Sequence, residues 1–235
     1  QVAQVDQCPG LSPEELVSVI GDYDGLMIRS GTQVTAEVIA AASKLKIIGR
    51  AGVGVDNVDV PAATQRGVLV VNSPEGNTIA AAEHALAMML TLSRHVPQAH
   101  AGMRAGKWDR KKYVGNELYK KTLGVVGLGK IGSHVARVAQ AMGMEVIAYD
   151  PFIAADRAQQ MQVKLSELDE LFRTADYVTL HIPRTKDTEN LVNAELLRTM
   201  KPTARIVNCA RGGVVDEAAS AEAINNGVIA GAGLD

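Results

Sequence analysis

Short apolar runs alternate with helical segments along the first third of the chain. The runs hold four or five nearly all-apolar residues, which is typical of strands in a sheet covered on both faces. Ser12 is expected to cap the first helix, with Pro13 at its first position and Glu15 completing a capping box. The predicted strands are QVAQV, residues 25–28, LKIIGRAG and VLVVNS, and the later predicted helices are VTAEVIAAAS and VPAATQRG. This alternation predicts a doubly wound, parallel α/β sheet.

The pattern breaks at residues 73–76, SPEG, and then resumes. Asn77 or Thr78 is expected to cap the long helix TIAAAEHALAMMLTLSRHV. The apolar residues of this helix wrap most of the way round it, so we expect the helix to be buried between larger units. Residues 101–121 are polar and basic and are predicted to form a loop with short helical pieces. Beyond them the predicted strands are TLGVVGLG, EVIAYD, YVTLHI and ARIVNCA, followed by the apolar run IAGAGLD, and the predicted helices are KIGSHVARVAQAMG, SELDELFRTA, AELLRTM and DEAASAEAINNG. We therefore assign residues 1–74 to a smaller, partial domain and residues 75–235 to a larger, partial one.

The composition is that of an ordinary globular protein. The 235 residues include 24 Lys and Arg against 26 Asp and Glu, a net charge of −2, and 47% are hydrophobic, which excludes disordered, collagen-like and fibrous proteins. The near-neutral balance argues against a nucleic-acid-binding protein. The sequence has no run of about 18 uncharged apolar residues, so we expect no transmembrane helix and no membrane partner. The expected partner is a small-molecule substrate.

Two cysteines, Cys8 and Cys209, lie far apart, without the spacing of a metal site or a disulfide framework. We therefore expect no bound metal and a reducing, cytoplasmic setting. The chain also lacks an initiator methionine and stops at Asp235 directly after an apolar run, so we expect it to be a fragment of a longer protein.

A glycine-rich element, GLGKIG, carries the candidate chemistry. It follows the predicted strand LGVV and opens a helix with one apolar face. The next predicted strand ends in Asp150, 18 positions past Gly132. In this context Gly127 permits a tight turn, Gly129 lets the backbone approach a pyrophosphate, and Gly132 allows close helix–strand packing. The helix N-terminus would hold the phosphates, and Asp150 would accept hydrogen bonds from a ribose and repel a 2′-phosphate. These features predict NAD rather than NADP as the cofactor, and the alternative is a glycine-rich turn that binds no nucleotide.

Several runs resemble one family of enzymes. LGVVGLGKIG, HIPRT and NCARGGVVDE are similar to the D-2-hydroxyacid dehydrogenases, and MIRSGTQVT, IIGRAGVGVDNVDVPAAT and VVNSPEGNTIAAAEHALAMML resemble the branch of that family that acts on 3-phosphoglycerate. The resemblance implies a Rossmann domain that binds NAD, a smaller flavodoxin-like substrate domain, and an active site in the cleft between them. It also implies NAD-dependent oxidation of 3-phospho-D-glycerate to 3-phosphohydroxypyruvate, a step of serine biosynthesis, in a homodimer or homotetramer.

The resemblance assigns a catalytic role to Arg211. This residue matches the family's catalytic arginine, whose guanidinium can grip a substrate carboxylate and polarise the developing carbonyl; a solvated charge at a strand end is the alternative. The family's histidine base and its glutamate partner lie beyond the motif that ends at Asp235, and none of the five histidines of the chain matches that base. We therefore expect the chain to bind NAD better than it catalyses.

Further cofactor contacts are implied position by position. They are Lys130 and Ile131 for the pyrophosphate, Ile182 and Pro183 for the adenine side, Cys209 and Ala210 for the nicotinamide ribose, and Asp235 for the nicotinamide carboxamide. Val53 stands where many relatives place a threonine near the cofactor, which puts a side-chain hydrogen bond there in doubt. For the apolar residues among these, plain packing at a strand end is the alternative.

Two arginines and a serine follow predicted strands of the smaller domain. Loops at the carboxyl ends of parallel strands converge on one crevice, and guanidinium donors suit a phosphate, so Arg29, Ser30 and Arg50 are predicted to bind the substrate phosphate. Asn77 resembles another substrate contact. Arg110, in WDRKKY, resembles a residue that the family contributes across a dimer interface, and a solvated basic loop is the alternative.

Two other functions stay open. One is a dehydrogenase for another D-2-hydroxy acid such as glycerate or lactate, although Arg29 with Arg50 favours a phosphorylated substrate. The other is a non-enzymatic, NAD-responsive binding protein of the same fold, because the family's base is not matched within this chain.

Overall fold

Two parallel β-sheets organise the chain, one in each of two units. The computed structural model describes residues 3–235. One unit ends at Thr78 and the other spans Ile79–Asp235, whereas the sequence places the boundary between residues 74 and 75. Strands and helices alternate in both units, so the predicted α/β class with parallel sheets is confirmed.

Three strands form the sheet of the smaller unit, in the order β1-β2-β3. The strands are β1 (Gly25–Ile28), β2 (Ile47–Arg50) and β3 (Leu69–Asn72), and the helices are α1 (Pro13–Val19), which a 3₁₀ turn (Ile20–Asp22) follows, α2 (Ala36–Ala41) and α3 (Val60–Gln65). All the strand pairs are parallel, with Ile28 opposite Arg50 and Arg50 opposite Asn72. The carboxyl ends of the three strands therefore meet at one edge of the sheet.

Each helix of the smaller unit begins at a side-chain cap. The amide of Glu15 donates to Ser12 Oγ at 3.2 Å, and the amide of Ser12 donates to Glu15 Oε2 at 2.8 Å, which confirms the predicted capping box. Thr35 and Asp59 accept amide hydrogen bonds at the starts of α2 and α3. These caps satisfy amides that the helix itself leaves without acceptors, and they determine where each short helix starts.

Two expectations for the smaller unit are wrong. Residues 3–5 of the predicted strand QVAQV form no strand and are exposed, while its first two residues lie outside the described part of the chain. No described strand pairs with this segment, and a strand needs a neighbour for its backbone hydrogen bonds. The sheet is also not covered on both faces. Met27 and Leu69 are 84% and 58% exposed, because the described residues supply one apolar cluster to this sheet.

Six parallel strands form the sheet of the larger unit, in the order β6-β5-β4-β7-β8-β9. The strands are β4 (Thr122–Val126), β5 (Glu145–Tyr149), β6 (Lys164–Leu165), β7 (Tyr177–Leu180), β8 (Arg205–Asn208) and β9 (Gly231–Leu234). The helices are α4 (Thr78–Arg94), α5 (Val96–Arg104), α6 (Lys130–Ala141), α7 (Ala155–Gln160), α8 (Leu168–Thr174), α9 (Ala194–Thr199) and α10 (Glu217–Asn225), with a 3₁₀ turn at Arg110–Tyr113. The strand order reverses between β4 and β7. Open α/β sheets bind ligands at such a reversal, beyond the carboxyl ends of the strands.

Two apolar clusters pack against the larger sheet. Successive residues along a strand alternate between them: Val125 belongs to one cluster and Val126 to the other, and Tyr177 and Val178 divide in the same way. The first cluster contains residues of α4 and α6, and the second contains residues of α8, α9 and α10. Because successive side chains of a strand point to opposite faces, both faces of this sheet are covered, as its apolar strands predict.

Helix α4 buries one stripe of its surface. The buried residues recur at helical spacing and are Ala82, Ala85, Leu86, Met89 and Ser93. Ile79 and Leu90 are 50% and 42% exposed, so the expectation of a helix buried on most sides is wrong, because these two side chains point away from the cluster that α4 joins. None of the helices formed by residues 3–235 is long and apolar enough to cross a membrane.

Candidate functional site

The glycine loop follows β4 at the centre of the larger sheet. The amide of Gly127 donates to the carbonyl oxygen of Tyr149 at 2.9 Å, and Gly127 has a positive φ of 93°. A Cβ at this position would lie 2.7 Å from the carbonyl oxygen of His181. Glycine is therefore required here both by the backbone conformation and by the close approach of the neighbouring strand end.

The other two glycines of the loop have opposite surroundings. A Cβ on Gly132 would lie 1.9 Å from the carbonyl oxygen of Gly127, so α6 packs directly on the loop. A Cβ on Gly129 would meet no atom within 4 Å, and this exposed residue lies at the N-cap of α6. The structure thus gives Gly132 a packing role and leaves the open side of Gly129 accessible to a ligand.

Asp150 lies beside the glycine loop at the end of β5. Its Oδ2 accepts a hydrogen bond from the amide of Leu128 at 2.7 Å, and its Oδ1 accepts one from the amide of Phe152 at 2.9 Å. A carboxylate has about four acceptor positions, so two such bonds orient the group and leave capacity for further donors. Sequence reasoning placed this carboxylate at the strand end, but it did not predict that the loop amide would orient it.

The residues next to the loop differ in exposure. Lys130 is exposed and is the first residue of α6, whereas Ile131 is half-buried and packs against the cluster that contains α4. Beyond β7, Ile182 is half-buried and Pro183 is exposed. The side chains of Ile131 and Ile182 thus each pack against an apolar cluster, and both residues lie at the carboxyl edge of the sheet.

His181 directly follows β7 and precedes Ile182. Burial lowers the pKa of its imidazole to about 4, and its Nε2 lies 3.0 Å from Thr179 Oγ1. The ring is therefore neutral near pH 7, and its surroundings disfavour the proton that a general base must accept.

The loop after β8 holds Arg211 through a buried asparagine. Asn208 Nδ2 donates to the carbonyl oxygen of Arg211 at 2.9 Å, and Asn208 Oδ1 accepts from the amide of Ala210 at 3.0 Å. Arg211 Nη1 donates to the carbonyl oxygen of Ala210 at 2.7 Å. Sequence reasoning missed this loop-positioning role of Asn208, although an asparagine at the end of the buried strand RIVN was a usable signal.

Three side chains from distant parts of the sequence meet at the edge of β8 and β9. His84 Nε2 lies 3.5 Å from Asp235 Oδ1, and these two groups and Cys209 Sγ all lie within 4.8 Å of one another. Burial, and then the nearby Asp235 carboxylate, raises the pKa of the Cys209 thiol to about 11. The thiol is therefore protonated near pH 7. Sequence reasoning assigned Cys209 and Asp235 to the cofactor and gave His84 no role.

The carboxyl edge of the smaller sheet gathers Arg29, Ser30 and Arg50. Arg29 and Ser30 follow β1 and are exposed, and Arg50 is the last residue of β2 and is half-buried. The Arg50 guanidinium lies over Gly52, where a Cβ would be 1.5 Å from Arg50 Nη1. Arg50 Nε is buried and has no hydrogen-bond acceptor among residues 3–235. A buried donor without an acceptor is costly, and a bound anion would remove that cost.

Two asparagines shape the loops of the same edge. Asn57 Nδ2 donates to the carbonyl oxygens of Arg29 and Thr32, and Asn72 Nδ2 donates to that of Val53 at 2.6 Å. Sequence reasoning missed both asparagines. The Val53 backbone is therefore held in place, while its apolar side chain offers no hydrogen bond.

Two further predicted contacts do not follow a strand directly. Asn77 is exposed in the smaller unit, directly before α4, and Arg110 is exposed in the 3₁₀ turn of the larger one. The larger unit's other predicted residues all lie at the carboxyl edge of its sheet, where they follow the five strands β4, β5, β7, β8 and β9. The individual contacts of all these residues with cofactor or substrate stay predictions.

Known proteins resemble the chain along its whole length. Residues 86–235 match the family described as D-isomer specific 2-hydroxyacid dehydrogenase, NAD binding domain. The chain is 63% identical over 235 residues to a D-3-phosphoglycerate dehydrogenase from Synechocystis sp. and 52% identical over 232 residues to one from Archaeoglobus fulgidus. These alignments cover 100% and 99% of this chain but 42% and 44% of the two relatives. The chain thus spans less than half the length of the curated relatives it matches.

A solved structure shows the same fold. A D-lactate dehydrogenase from Aquifex aeolicus, complexed with NAD and lactic acid, superposes with a TM-score of 0.86 at 32% identity, covering 93% of this chain and 66% of that one. The matched family and this structure both support NAD as the cofactor, in agreement with the prediction from the glycine loop and Asp150.

Proposed function

The chain belongs to the family of D-isomer-specific 2-hydroxyacid dehydrogenases, and from that premise we propose that it forms part of an enzyme that oxidises 3-phospho-D-glycerate to 3-phosphohydroxypyruvate, a step of serine biosynthesis. The observation that carries this proposal is the similarity of both units, over practically the whole chain, to two D-3-phosphoglycerate dehydrogenases. The smaller unit adds a physical reason for a phosphorylated substrate, since the buried Arg50 Nε lacks an acceptor among the described residues.

The larger unit fits an adenine dinucleotide. The open side of Gly129 and the first amides of α6, at Lys130 and Ile131, would hold the pyrophosphate. The remaining acceptor positions of Asp150 would bind the ribose hydroxyls. Further residues at the same edge would contact the adenine and the nicotinamide, namely Ile182, Pro183, Cys209, Ala210 and Asp235, with Val53 of the smaller unit as a proposed backbone contact. The bound dinucleotide would accept the hydride from C2 of the substrate.

Arg211 is the proposed catalytic residue. Asn208 fixes its loop through hydrogen bonds with the amide of Ala210 and the carbonyl oxygen of Arg211. The guanidinium would then bind the substrate carboxylate and stabilise the negative charge that develops on the C2 oxygen. Arg29, Ser30 and Arg50 would bind the phosphate, and Asn77 would add a polar contact. His181 is a poor base for the hydroxyl proton, because burial keeps its pKa far below 7.

The dinucleotide site is tested with two glycine variants that have equally open surroundings. A Cβ added at either Gly129 or Gly31 would meet no atom within 4 Å, so Gly129→Ala and Gly31→Ala should both fold like the parent. Gly129→Ala should weaken NADH binding by about tenfold or more, about 1.4 kcal/mol, because a methyl group would occupy the path of the pyrophosphate. NADH fluorescence titration measures this, and equal affinities of the two variants would contradict the role of Gly129.

Cofactor choice is tested at Asp150. Asp150→Ala should weaken NADH binding and strengthen NADPH binding relative to NADH, since the carboxylate that would repel a 2′-phosphate is gone. Unchanged affinities for both nucleotides would contradict this assignment.

The substrate is tested by initial velocities of the full-length gene product. 3-Phosphoglycerate should be oxidised much faster than D-lactate or D-glycerate, and Arg50→Lys should raise KM for 3-phosphoglycerate because an ammonium cannot reproduce the Nε donor. Arg66→Lys is the matched control, since the Arg66 guanidinium donates to the carbonyl oxygen of Ala40 on the surface of the same unit. Faster turnover of an unphosphorylated acid would replace the proposed substrate. A protein that binds NADH and turns over none of the three acids would instead be the NAD-responsive binding protein.

Assembly into a homodimer or homotetramer is proposed for the larger unit. Large apolar side chains are 42–75% exposed along α4, α5 and the following loop, and a subunit interface would bury them. They are Leu90, Val96, Met103, Trp108, Val114 and Tyr119. Arg110 lies within the same stretch and would act across this interface. Sedimentation of the parent and of Val96→Asp tests this, and a monomeric parent would contradict it.

A cytoplasmic location is also proposed. Cys8 and Cys209 are both free thiols, which suits a reducing compartment. Fractionation of cells that express the full-length protein tests this location.

A further inference from the structure

The cluster of His84, Cys209 and Asp235 combines three different metal-ligating groups. His84 projects from the middle of α4, Cys209 directly follows β8, and Asp235 directly follows β9. Among the residues that the structure describes, this is the only group of three histidine, cysteine or acidic side chains whose ligand atoms come close enough to share an ion. The proposed contacts with the cofactor and the substrate give His84 no role.

The distances suit a small tetrahedral ion. Zinc bonds to nitrogen and oxygen at about 2.0 Å and to sulfur at about 2.3 Å, so two of its ligands lie roughly 3.3–3.5 Å apart. His84 Nε2 and Asp235 Oδ1 are 3.5 Å apart, and all three ligand atoms lie within 4.8 Å of one another. Side-chain rotations that move Cys209 Sγ by about an ångström would complete this geometry.

The backbone that carries the three groups is well anchored. The amide of Asp235 donates to the carbonyl oxygen of Asn208 at 3.0 Å, so the residues that follow β8 and β9 are tied together. Cys209 packs against the apolar cluster to which α4 contributes. The exposed side chains of His84 and Asp235, 49% and 61% accessible, leave an entry path for an ion.

We propose that His84, Cys209 and Asp235 form a binding site for a zinc-type divalent ion, and that ion binding and dinucleotide binding exclude each other. The exclusion rests on the proposed function, in which Cys209 and Asp235 contact the nicotinamide end of NAD. Binding forms bonds from the ion to the imidazole nitrogen, the thiolate and one carboxylate oxygen, and the thiol proton is released to water. A thiolate ligand selects zinc over magnesium or calcium, and the three protein ligands leave a fourth position for water.

Cobalt titration of the full-length protein, without nucleotide, tests the site. Co²⁺ should produce the near-ultraviolet band of thiolate-to-cobalt charge transfer and the visible bands of a four-coordinate ion, and Zn²⁺ but not Mg²⁺ should abolish both. Cys209→Ser should remove the charge-transfer band, and Cys8→Ser, which changes the exposed cysteine of the smaller unit, should leave it unchanged.

His84 supplies a second, independent variant. This half-exposed side chain tolerates replacement, so His84→Ala should fold and should weaken Co²⁺ binding by about tenfold or more, whereas the exposed His100→Ala should have no effect. A missing charge-transfer band, a band that survives Cys209→Ser in the folded protein, or equal affinities of the two histidine variants would overturn the site.

Competition with NADH tests the exclusion. Rising NADH should displace Co²⁺ and abolish the charge-transfer band, and Zn²⁺ should raise the apparent Kd for NADH in proportion to its concentration. Simultaneous binding of both would overturn the exclusion. NADH titration in buffer with a chelator separates the two ideas, because failure to bind there contradicts the proposed function, while the cobalt spectra alone decide the metal site.

Discussion

The two sheets of this chain are built from the same strand–helix repeat, yet they bury their strands differently. In the larger unit, Val125 and Val126 are both fully buried, each in a different apolar cluster. In the smaller unit, Ile48 is fully buried while its neighbour Ile47 is 39% exposed. An apolar run of four residues therefore does not by itself reveal whether one or two faces of a sheet are covered. That depends on how many helices reach the sheet.

The difference matters for function. In the larger sheet, packing on both faces fixes the strand ends that present the glycine loop, Asp150 and Arg211. In the smaller sheet, loop residues shape the two arginines at the strand ends. Asn57 donates to the carbonyl oxygen of Arg29, and Gly52 leaves room for the Arg50 guanidinium. Substitutions that add or remove a few atoms should therefore have larger consequences in the larger unit.

The largest effect is expected at Gly132. In Gly132→Ala the new Cβ would lie 1.9 Å from the carbonyl oxygen of Gly127 and 3.1 Å from its carbonyl carbon, and these backbone atoms cannot move without displacing α6 from β4. We expect a loss of about 3 kcal/mol or more in the free energy of unfolding. Urea denaturation followed by circular dichroism measures the free energy of unfolding. Gly129→Ala is the control, because the same substitution there meets no atom within 4 Å. Matching midpoints for the two variants would show that the loop is less tightly packed than the structure indicates.

A smaller effect is expected from glycines in the middle of strands. In Gly124→Ala of β4, the Cβ would lie 2.4 Å from Leu171 Cδ2, whereas in Gly49→Ala of β2 the nearest atoms are 4.0 Å away. Gly124→Ala should cost about 2 kcal/mol, and Gly49→Ala should stabilise by up to about 1 kcal/mol because it restricts the unfolded chain. Hydrogen exchange resolved by unit measures both. Equal destabilisation in the two sheets would contradict the difference in their packing.

The smallest effect concerns two ion pairs, one in each unit. Burial alone would raise the pKa of Asp176, but the hydrogen bond from the Thr122 amide and the Lys201 ammonium outweigh burial and lower it. A lowered pKa in the folded state contributes stability above the unfolded value of about 4, and that contribution disappears as the pH falls through the folded value. Asp176→Asn should therefore narrow the difference in stability between pH 7 and pH 3.

The matching ion pair of the smaller unit, Asp24 with Lys46, should have no measurable effect on how stability depends on pH. The Lys46 ammonium lowers the pKa of Asp24, but the pair is fully exposed and water and salt screen it. Thermal unfolding of Asp24→Asn at pH 7 and pH 3 should follow the parent. If Asp24→Asn changed the pH dependence of stability as much as Asp176→Asn does, the difference in exposure would not explain how much each ion pair contributes.

Local signals in the sequence predicted most of the fold. The capping box at Ser12 and Glu15, the apolar runs and the glycine loop each involve residues close together in the chain, so their interactions follow from spacing alone. The predicted strand QVAQV was wrong over its described residues, 3–5, because a strand needs a partner, which a local pattern does not supply. The exposed face of the smaller sheet was missed because a local pattern does not show which elements pack against a strand.

The sequence by itself determined the alternating α/β order, the dinucleotide loop with its acidic partner, and the placement of the candidate residues at strand ends. Only the tertiary structure decided that the Leu128 amide orients Asp150, that Asn208 holds the Arg211 loop, and that His84 meets Asp235. The physical reason is that hydrogen bonds and ion pairs depend on distances of about 3 Å between atoms, and strand crossovers bring such atoms together from positions that no periodicity along the chain connects.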